Sequence, residues 1–488
     1  MTVTATAFRA CIATTLLLAA CLVPPPALAG SAGAQPLFAD GFEPGPIRPL
    51  FPRVDGEFQL PSNPTTDQLA WLMDELAAGE TTTAEEVNAH FSAGWLSQIP
   101  VANTQAFLQS LRTTFPDAVI DDVVTVTSIR VVVVIRAPAD DRLGYLQIGA
   151  TYSGGGPIVL LGVSNYGGST QYPEDSTLTL TQAVDKFMTL SAAPGLLIAR
   201  IDDAGQCQPI VERDPATPRA TGSIFKLWVM AGVARAIADG IAAPEDLVAL
   251  VAEHLARGGV INDEPLGTQF SVFDLAVLML GISDNTATDL LHDLVGRVAL
   301  DQAVVDTGVA DPSVLQPLLS INQQFHLFYS FPLAVAQDYV DGSEADQLQF
   351  LADEIEPLGP LGNGPFPYFN VSLLAGGSWS ASPYDVCATF AHLRTFDGDA
   401  ATTIDYAVGA SSGQPGVRNR WDRVWYKGGS LAAAANDFHV LTHAWMLERT
   451  GEQPLVVVAM SNDGSGGVDQ FDVQSVLGRV LELVAALP

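Results

Sequence analysis

Apolar residues change from helical to extended spacing along the first third of the chain. Leu69, Leu72, Met73 and Leu76 recur every three or four residues, which predicts a helix, and two shorter helices are predicted to follow. Extended apolar segments then predict strands over residues 123–135, 143–152 and 157–163. Helices followed by an antiparallel sheet indicate a small α+β domain over residues 65–166.

The pattern after residue 177 predicts a second, larger domain. A helix is expected first, then two strands, a long helical middle, two further strands and a last helix, over residues 178–190, 196–201, 207–212, 438–447, 455–461 and 473–486. Because two early strands can join two late strands in one sheet, residues 177–488 are predicted to form an α/β sandwich. It consists of an antiparallel sheet flanked by helices, together with an all-helical subdomain. The polar, Gly-rich segment 167–175 is the predicted boundary.

The N-terminus has the charged, apolar and small-residue plan of an export signal over residues 1–29. An alternative stays open, because Leu18-Ala19-Ala20-Cys21 resembles a bacterial lipobox that would leave an acylated Cys21. Residues 30–64, rich in Gly, Pro and acidic side chains, are predicted to be a linker. Since no other stretch of about 18 apolar residues occurs, no transmembrane helix is expected. The chain is therefore predicted to be secreted or periplasmic in a bacterium, with a lipoprotein as the alternative.

Composition limits the partners that can be expected. The chain has 22 Lys+Arg against 54 Asp+Glu and a formal charge of −32, so a nucleic-acid partner is not expected. Cys207 and Cys387 are interpreted as two buried thiols in preference to a disulfide. His439 and His443 lie four apart in a predicted strand and are not interpreted as metal ligands, so neither a metal nor a cofactor is predicted.

Ser223-Ile224-Phe225-Lys226 is the first group of residues with catalytic chemistry. It opens a predicted helix, where a serine hydroxyl lies beside free backbone N–H groups. A spacing of three places the lysine on the same helix face as the serine. Apolar neighbours would desolvate Lys226 and lower its pKa, so that it could accept a proton near neutral pH. Serine and lysine together form a candidate nucleophile and base, although a capping serine with an unrelated lysine is the alternative.

Two further motifs make that alternative unattractive. Ser283-Asp284-Asn285 follows an apolar helix, and Lys427-Gly428-Gly429-Ser430 follows a predicted buried strand. The chain has only three lysines, Lys186, Lys226 and Lys427, and two of them lie in these short motifs.

With these three motifs the chain resembles the serine β-lactamase and penicillin-binding protein superfamily, whose signature is S-x-x-K, S-D-N and K-T-G in this order. The contexts of Ser223 and Ser283 are similar to class A β-lactamases. They are still more similar to the branch of β-lactamase-like serine hydrolases that includes the clavulanic-acid-cluster protein. That branch joins such a domain to an N-terminal steroid-isomerase-like α+β domain of the NTF2 or cystatin type, in agreement with the pattern of residues 65–166.

The resemblance implies a role for each residue. Ser223 would attack a carbonyl, Lys226 would accept its proton, and Ser283 would relay a proton to the leaving group, with Lys427 supplying positive charge. The substrate-binding residues implied are Asn285, Gly429 and Ser430, and the backbone N–H groups of Ser223 and Ser430 match the oxyanion hole. Arg418, Arg420 and Arg423 precede Lys427 and are interpreted either as a positive patch for an anionic substrate or as a solvated basic turn.

The sequence departs from the pattern at two places. Gly428 stands where the family usually has a threonine, and the deacylation motif E-x-x-L-N is not found between Ser283 and Lys427. The predicted function is a cofactor-independent serine hydrolase that forms an acyl-enzyme on Ser223 with a β-lactam, ester or amide, with weak β-lactam turnover. The alternatives are a penicillin- or peptidoglycan-binding module with little turnover and a DD-peptidase-like cell-wall enzyme.

Overall fold

A computed structural model describes residues 49–166, 175–362, 364–371, 373 and 379–487. The predicted export signal, Cys21, most of the predicted linker and most of the predicted boundary lie outside these residues. None of the described helices is both long and apolar enough to cross a membrane.

The secondary structure of the described residues follows the order helices, sheet, and then a sheet interleaved with helices. The helices are α1 (Pro64–Glu75), α2 (Ala84–His90), α3 (Ala93–Gln98), α4 (Val101–Thr114), α5 (Leu180–Phe187), α6 (Lys226–Ala238), α7 (Val272–Gly281), α8 (Asn285–Val295), α9 (Arg297–Asp306), α10 (Ile321–Tyr329), α11 (Leu333–Asp341), α12 (Glu344–Phe350), α13 (Pro383–Leu393), α14 (Gly398–Gly409) and α15 (Gln470–Val484). The strands are β1 (Arg53–Val54), β2 (Glu57–Phe58), β3 (Val119–Val126), β4 (Arg130–Ala137), β5 (Arg142–Ala150), β6 (Ile158–Tyr166), β7 (Ala193–Ile201), β8 (Cys207–Arg213), β9 (Arg219–Ala220), β10 (Leu247–Ala249), β11 (Gln269–Ser271), β12 (Ser380–Ala381), β13 (Arg423–Ala432), β14 (Asp437–Glu448), β15 (Leu455–Asn462) and β16 (Val468–Asp469).

The N-terminal unit packs α1 to α4 against an antiparallel sheet in the order β3-β4-β5-β6. Leu69, Leu72 and Leu76, predicted from their spacing, are buried in its core. The end of the predicted linker is part of the folded N-terminal unit. Phe51 is buried in the same core, and β1 pairs with β2.

The C-terminal unit is built on an antiparallel sheet in the order β13-β14-β15-β7-β8, with β16 paired to β14. The two early strands thus join the late ones, as the sequence predicts. One face of the sheet packs against a core that includes residues of α6, α7, α13 and α14. The other face packs against α5 and α15. This arrangement confirms the predicted fold class, an α+β unit followed by a β-lactamase-type α/β sandwich, and it leaves β13 at the edge of the sheet.

Cys207 and Cys387 form a disulfide, with their Cα atoms 6.3 Å apart, which corrects the interpretation as free thiols. The bond joins the start of β8 to α13 across 180 residues of sequence. The sequence pattern could not indicate it, because the pairing depends on α13 packing against this end of the sheet.

Replacing both cysteines by alanine is expected to lower the free energy of unfolding by about 2–5 kcal/mol, because the bond closes a long loop in the unfolded chain. Thermal unfolding of the double variant and of the oxidised wild type measures this loss. Reductant should lower the melting temperature of the wild type and leave that of the double variant unchanged. Equal melting temperatures for the two oxidised proteins would contradict the prediction.

Candidate active site

Ser223 lies in a 3₁₀ turn, Gly222–Phe225, that leads directly into α6. Gly222 has φ +51°, a left-handed conformation that favours glycine. A Cβ added at Gly222 would lie 2.7 Å from the backbone nitrogen of Ser430. The turn therefore packs against the edge strand β13, and only a residue without a side chain allows this approach.

The same contact brings the predicted oxyanion donors to one place. A Cβ added at Gly429 would lie 2.7 Å from the backbone nitrogen of Ser223 and 2.6 Å from Thr442 Oγ1. Thr442 Oγ1 in turn donates hydrogen bonds to Thr221 O at 2.7 Å and Gly429 O at 3.2 Å. These contacts tie β13 and β14 to the turn, so that Ser223 and Ser430 line the same cavity.

Lys226 is fully buried at the start of α6. Its Nζ donates to Ser283 O and Asn285 Oδ1, both at 2.7 Å, and has longer contacts to Ser283 Oγ at 3.2 Å and Asp284 O at 3.3 Å. Burial lowers the pKa of Lys226 to about 7, whereas the nearby carboxylates of Asp284 and Asp289 act in the opposite direction. The lysine is thus poised to change its protonation state near neutral pH.

Ser283 lies between the two motif lysines. Lys427 Nζ donates to Ser283 Oγ at 3.0 Å and to Gly428 O at 2.8 Å. Burial, and secondly the charge of Lys226, lower the pKa of Lys427 well below its usual value. Ser283 has φ +60°, an unusual conformation for a residue with a side chain. In this conformation the backbone carbonyl and the hydroxyl of Ser283 both accept hydrogen bonds from Lys226.

The Ser283 turn is anchored by the neighbouring carboxylate. Asp284 is fully buried and accepts backbone N–H bonds from Val260, Ile261 and Ala287 at 2.6, 3.0 and 2.8 Å. Asn285 uses both ends of its amide, because Oδ1 accepts from Lys226 and Nδ2 donates to Arg257 O at 2.6 Å. A substrate amide at Asn285 would therefore share these bonds.

The departure at Gly428 has a local cause. A Cβ at this position would collide with the hydroxyl of Tyr426, which lies on the same face of β13. Tyr426 Oη lies 2.9 Å from His443 Nδ1, and burial lowers the pKa of His443 to about 4. The pair is neutral near pH 7 and occupies the space of a threonine side chain. His439 contacts Asp463 O, and the described residues contain no group of three or more candidate metal ligands.

The predicted positive patch before Lys427 is wrong in both of its interpretations. Arg418 is partly buried and donates to the carbonyls of Val123 and Gly409 at 3.0 and 2.9 Å. Arg420 pairs with Glu482, and Arg423 pairs with Asp405 and Glu448, at distances of 3.0–3.5 Å. These guanidinium groups hold the fold together, so they offer no acceptor site for a substrate anion.

The N-terminal unit supports the Ser283 turn, which sequence reasoning missed. The side chain of Ile129, between β3 and β4, belongs to the core of the C-terminal unit. A Cβ added at Gly281 would lie 2.9 Å from Thr127 Cγ2, so the tip of the β3–β4 hairpin packs directly before the S-D-N motif. Burial lowers the pKa of Arg130, and Asp284 of this motif opposes that shift. No local motif indicated this contact.

A cavity of about 80 Å³ lies beside Ser223, Asn285 and Ser430. Much of its wall comes from α10, which sequence reasoning left without a role. The helix places Ile321, Phe325 and Phe328 along one side, and this i, i+4, i+7 spacing was the signal available in the sequence. None of the described residues lining the cavity carries a carboxylate.

Replacing Gly429 by alanine is expected to lower the rate of acylation at least about a hundredfold, because the methyl group would push β13 away from the backbone nitrogen of Ser223. The value of kcat/KM for ester hydrolysis measures acylation, and circular dichroism checks that the variant is folded. Gly464→Ala is the control, since a Cβ there meets nothing within 4 Å. A folded Gly429→Ala protein with wild-type activity would contradict this geometry.

Family models match both units of the chain. A model described as the beta-lactamase enzyme family matches residues 171–343, and one described as ORF 12 gene product N-terminal matches residues 60–148. The resemblance predicted from the three motifs is thereby confirmed, and the second match is compatible with the predicted N-terminal unit. The closer relationship to the clavulanic-acid branch stays a prediction. No curated protein sequence matches the chain.

Solved structures are similar to about three fifths of the chain. A beta-lactamase from Sphaerobacter thermophilus is 20% identical, with a TM-score of 0.44, over 62% of this chain and 94% of its own. A beta-lactamase from Chitinophaga pinensis is 14% identical, with a TM-score of 0.43, over 62% of this chain and 97% of its own. PBP-A is 15% identical, with a TM-score of 0.38, over 62% of this chain and 95% of its own.

Proposed function

We propose that this chain, which matches the beta-lactamase enzyme family over residues 171–343, is a serine hydrolase that forms an acyl-enzyme on Ser223. The observation that carries the proposal is the convergence of two lysine amino groups on one hydroxyl. Lys226 Nζ and Lys427 Nζ lie 3.2 and 3.0 Å from Ser283 Oγ, next to the cavity that contains Ser223. The substrate is an ester, amide or β-lactam carbonyl.

Acylation begins when neutral Lys226 leaves one of its acceptors and takes the proton of Ser223 Oγ. The oxygen then forms a bond to the carbonyl carbon, and the backbone N–H groups of Ser223 and Ser430 stabilise the negative charge on the carbonyl oxygen. When the bond to the leaving group breaks, the proton passes from Lys226 through Ser283 Oγ to the leaving atom. Lys427 holds the Ser283 hydroxyl in place for this transfer.

Deacylation is expected to be slow. The described lining of the cavity contains no carboxylate that could activate a water molecule. This observation favours, as a second candidate, a penicillin- or peptidoglycan-binding module that is acylated and turns over little. A DD-peptidase-like enzyme would use the same residues.

We also propose that the protein acts outside the cytoplasm, as a secreted or periplasmic protein or a lipoprotein. The charged and apolar N-terminal sequence supports this, and so does the disulfide between Cys207 and Cys387, because such bonds persist in oxidising compartments. The substrate would then be a small acyl compound of that compartment.

Intact mass spectrometry tests the function. The protein is incubated with a penicillin, a cephalosporin or an activated ester, and the adduct is followed over time and mapped by peptide digestion. An adduct on the Ser223 peptide supports the proposal; a short lifetime indicates a hydrolase and a long one the binding module. An adduct on another residue, or no adduct together with no hydrolysis, would overturn it.

A further inference from the structure

The cavity beside Ser223 has an apolar and uncharged wall, which bears on the substrate class. We propose that it binds the acyl side chain of the substrate and selects aromatic or other bulky apolar acyl side chains over charged ones. This inference rests on the proposed function and adds its specificity. It differs from the anionic substrate that the arginines before Lys427 suggested.

The wall consists of aromatic and branched side chains in fixed positions. Trp379 stacks on Phe225 with ring centroids 3.9 Å apart, and its Nε1 donates to Leu319 O at 3.1 Å. Phe325 lies 6.3 Å from Trp379, between centroids, and 6.4 Å from Phe328. A surface held in this way binds an apolar group with little ordering cost.

The α10 helix that provides part of this wall is itself tied to the catalytic unit. Asp289 of α8 is buried and accepts the backbone N–H groups of Ile321 and Asn322 at 2.7 and 3.0 Å. Because α8 begins at the S-D-N motif, the same helix positions Ser283 and the apolar wall. The wall is thus part of the site and not a separate surface depression.

The charges around the cavity disfavour an anionic acyl group. The described residues lining the cavity have no charged side chain, and its polar members are Ser223, Asn285, Gln324 and Ser430. Arg420 and Arg423 are paired with carboxylates, and Lys427 is buried with its Nζ bonded to Ser283 Oγ and Gly428 O. The chain as a whole has a formal net charge of −32, which repels an anionic acyl group. An acyl carboxylate would lose its hydration without gaining a partner.

The test uses the full-length wild-type protein and p-nitrophenyl esters, which share one leaving group. We expect kcat/KM to be at least tenfold higher for the phenylacetate than for the acetate. We expect it to be at least tenfold lower for the hydrogen succinate than for the butyrate, which has a similar size and no charge. Equal values within each pair, or a preference for the succinate, would overturn the inference.

A variant links this selectivity to the cavity. Phe328→Ala should reduce the ratio of phenylacetate to acetate at least threefold, whereas Val298→Ala, on an exposed position of α9, should leave the ratio unchanged. Failure of the inference differs from failure of the function. Hydrolysis that requires Ser223 but shows no acyl preference refutes only the specificity, whereas hydrolysis that persists in Ser223→Ala refutes the site.

Discussion

Ser223→Ala is expected to abolish acylation, with a fall in kcat/KM of at least about a thousandfold for any ester that the wild type hydrolyses. The substitution removes the attacking oxygen and leaves the backbone N–H group of residue 223 in place. The remaining rate would come from the oxyanion donors and from binding alone. Steady-state hydrolysis and intact mass measured on the same preparation provide both readouts.

The control for this prediction is Ser110→Ala, a serine exposed on α4 of the N-terminal unit. Its rate and adduct mass should equal those of the wild type. If Ser223→Ala still forms an adduct at the wild-type rate, another residue is the nucleophile, and the assignment of Ser223 as the nucleophile is wrong.

The pH dependence of kcat/KM is expected to follow the protonation of Lys226. Because burial lowers the pKa of this lysine to about 7, about half of it is neutral at pH 7 and about a tenth at pH 6. Only the neutral amine can accept a proton from Ser223, so the rate should rise with pH through this pKa and level off above about pH 8. Below about pH 6 it should fall about tenfold for each pH unit.

Substitution of the lysines distinguishes this cause from a general effect of pH. Lys226→Met and Lys226→Arg should each lose at least a hundredfold in rate, since neither residue can accept a proton near neutral pH. Lys186→Met is the matched control, because Lys186 pairs with Asp175, at 2.7 Å, and has no part in the site. A wild-type rate that stays flat from pH 5 to 8 would contradict the role of Lys226.

Much of the fold could be predicted from local patterns. The helical spacing from Leu69 to Leu76 and the strands near residues 196–201 and 438–447 are present close to their predicted bounds. Such patterns are reliable where one face of an element is buried, because the period of the apolar residues then reports the element itself. The apolar spacing in α10 does not reveal the role of this helix. Its apolar residues face the cavity, and that role depends on the residues on the other side of the cavity.

The sequence by itself determined which chemical groups are available: a serine and a lysine three residues apart, and two of the three lysines in short motifs. Only the tertiary structure decided how they are used. Ser283 is 57 residues from Lys226 and 144 from Lys427, and their convergence depends on the packing of α6, α8 and β13. The ion pairs of the arginines, the disulfide and the uncharged cavity wall also follow from contacts between distant segments. Burial and charge pairing are properties of such contacts, so spacing along the chain does not encode them locally.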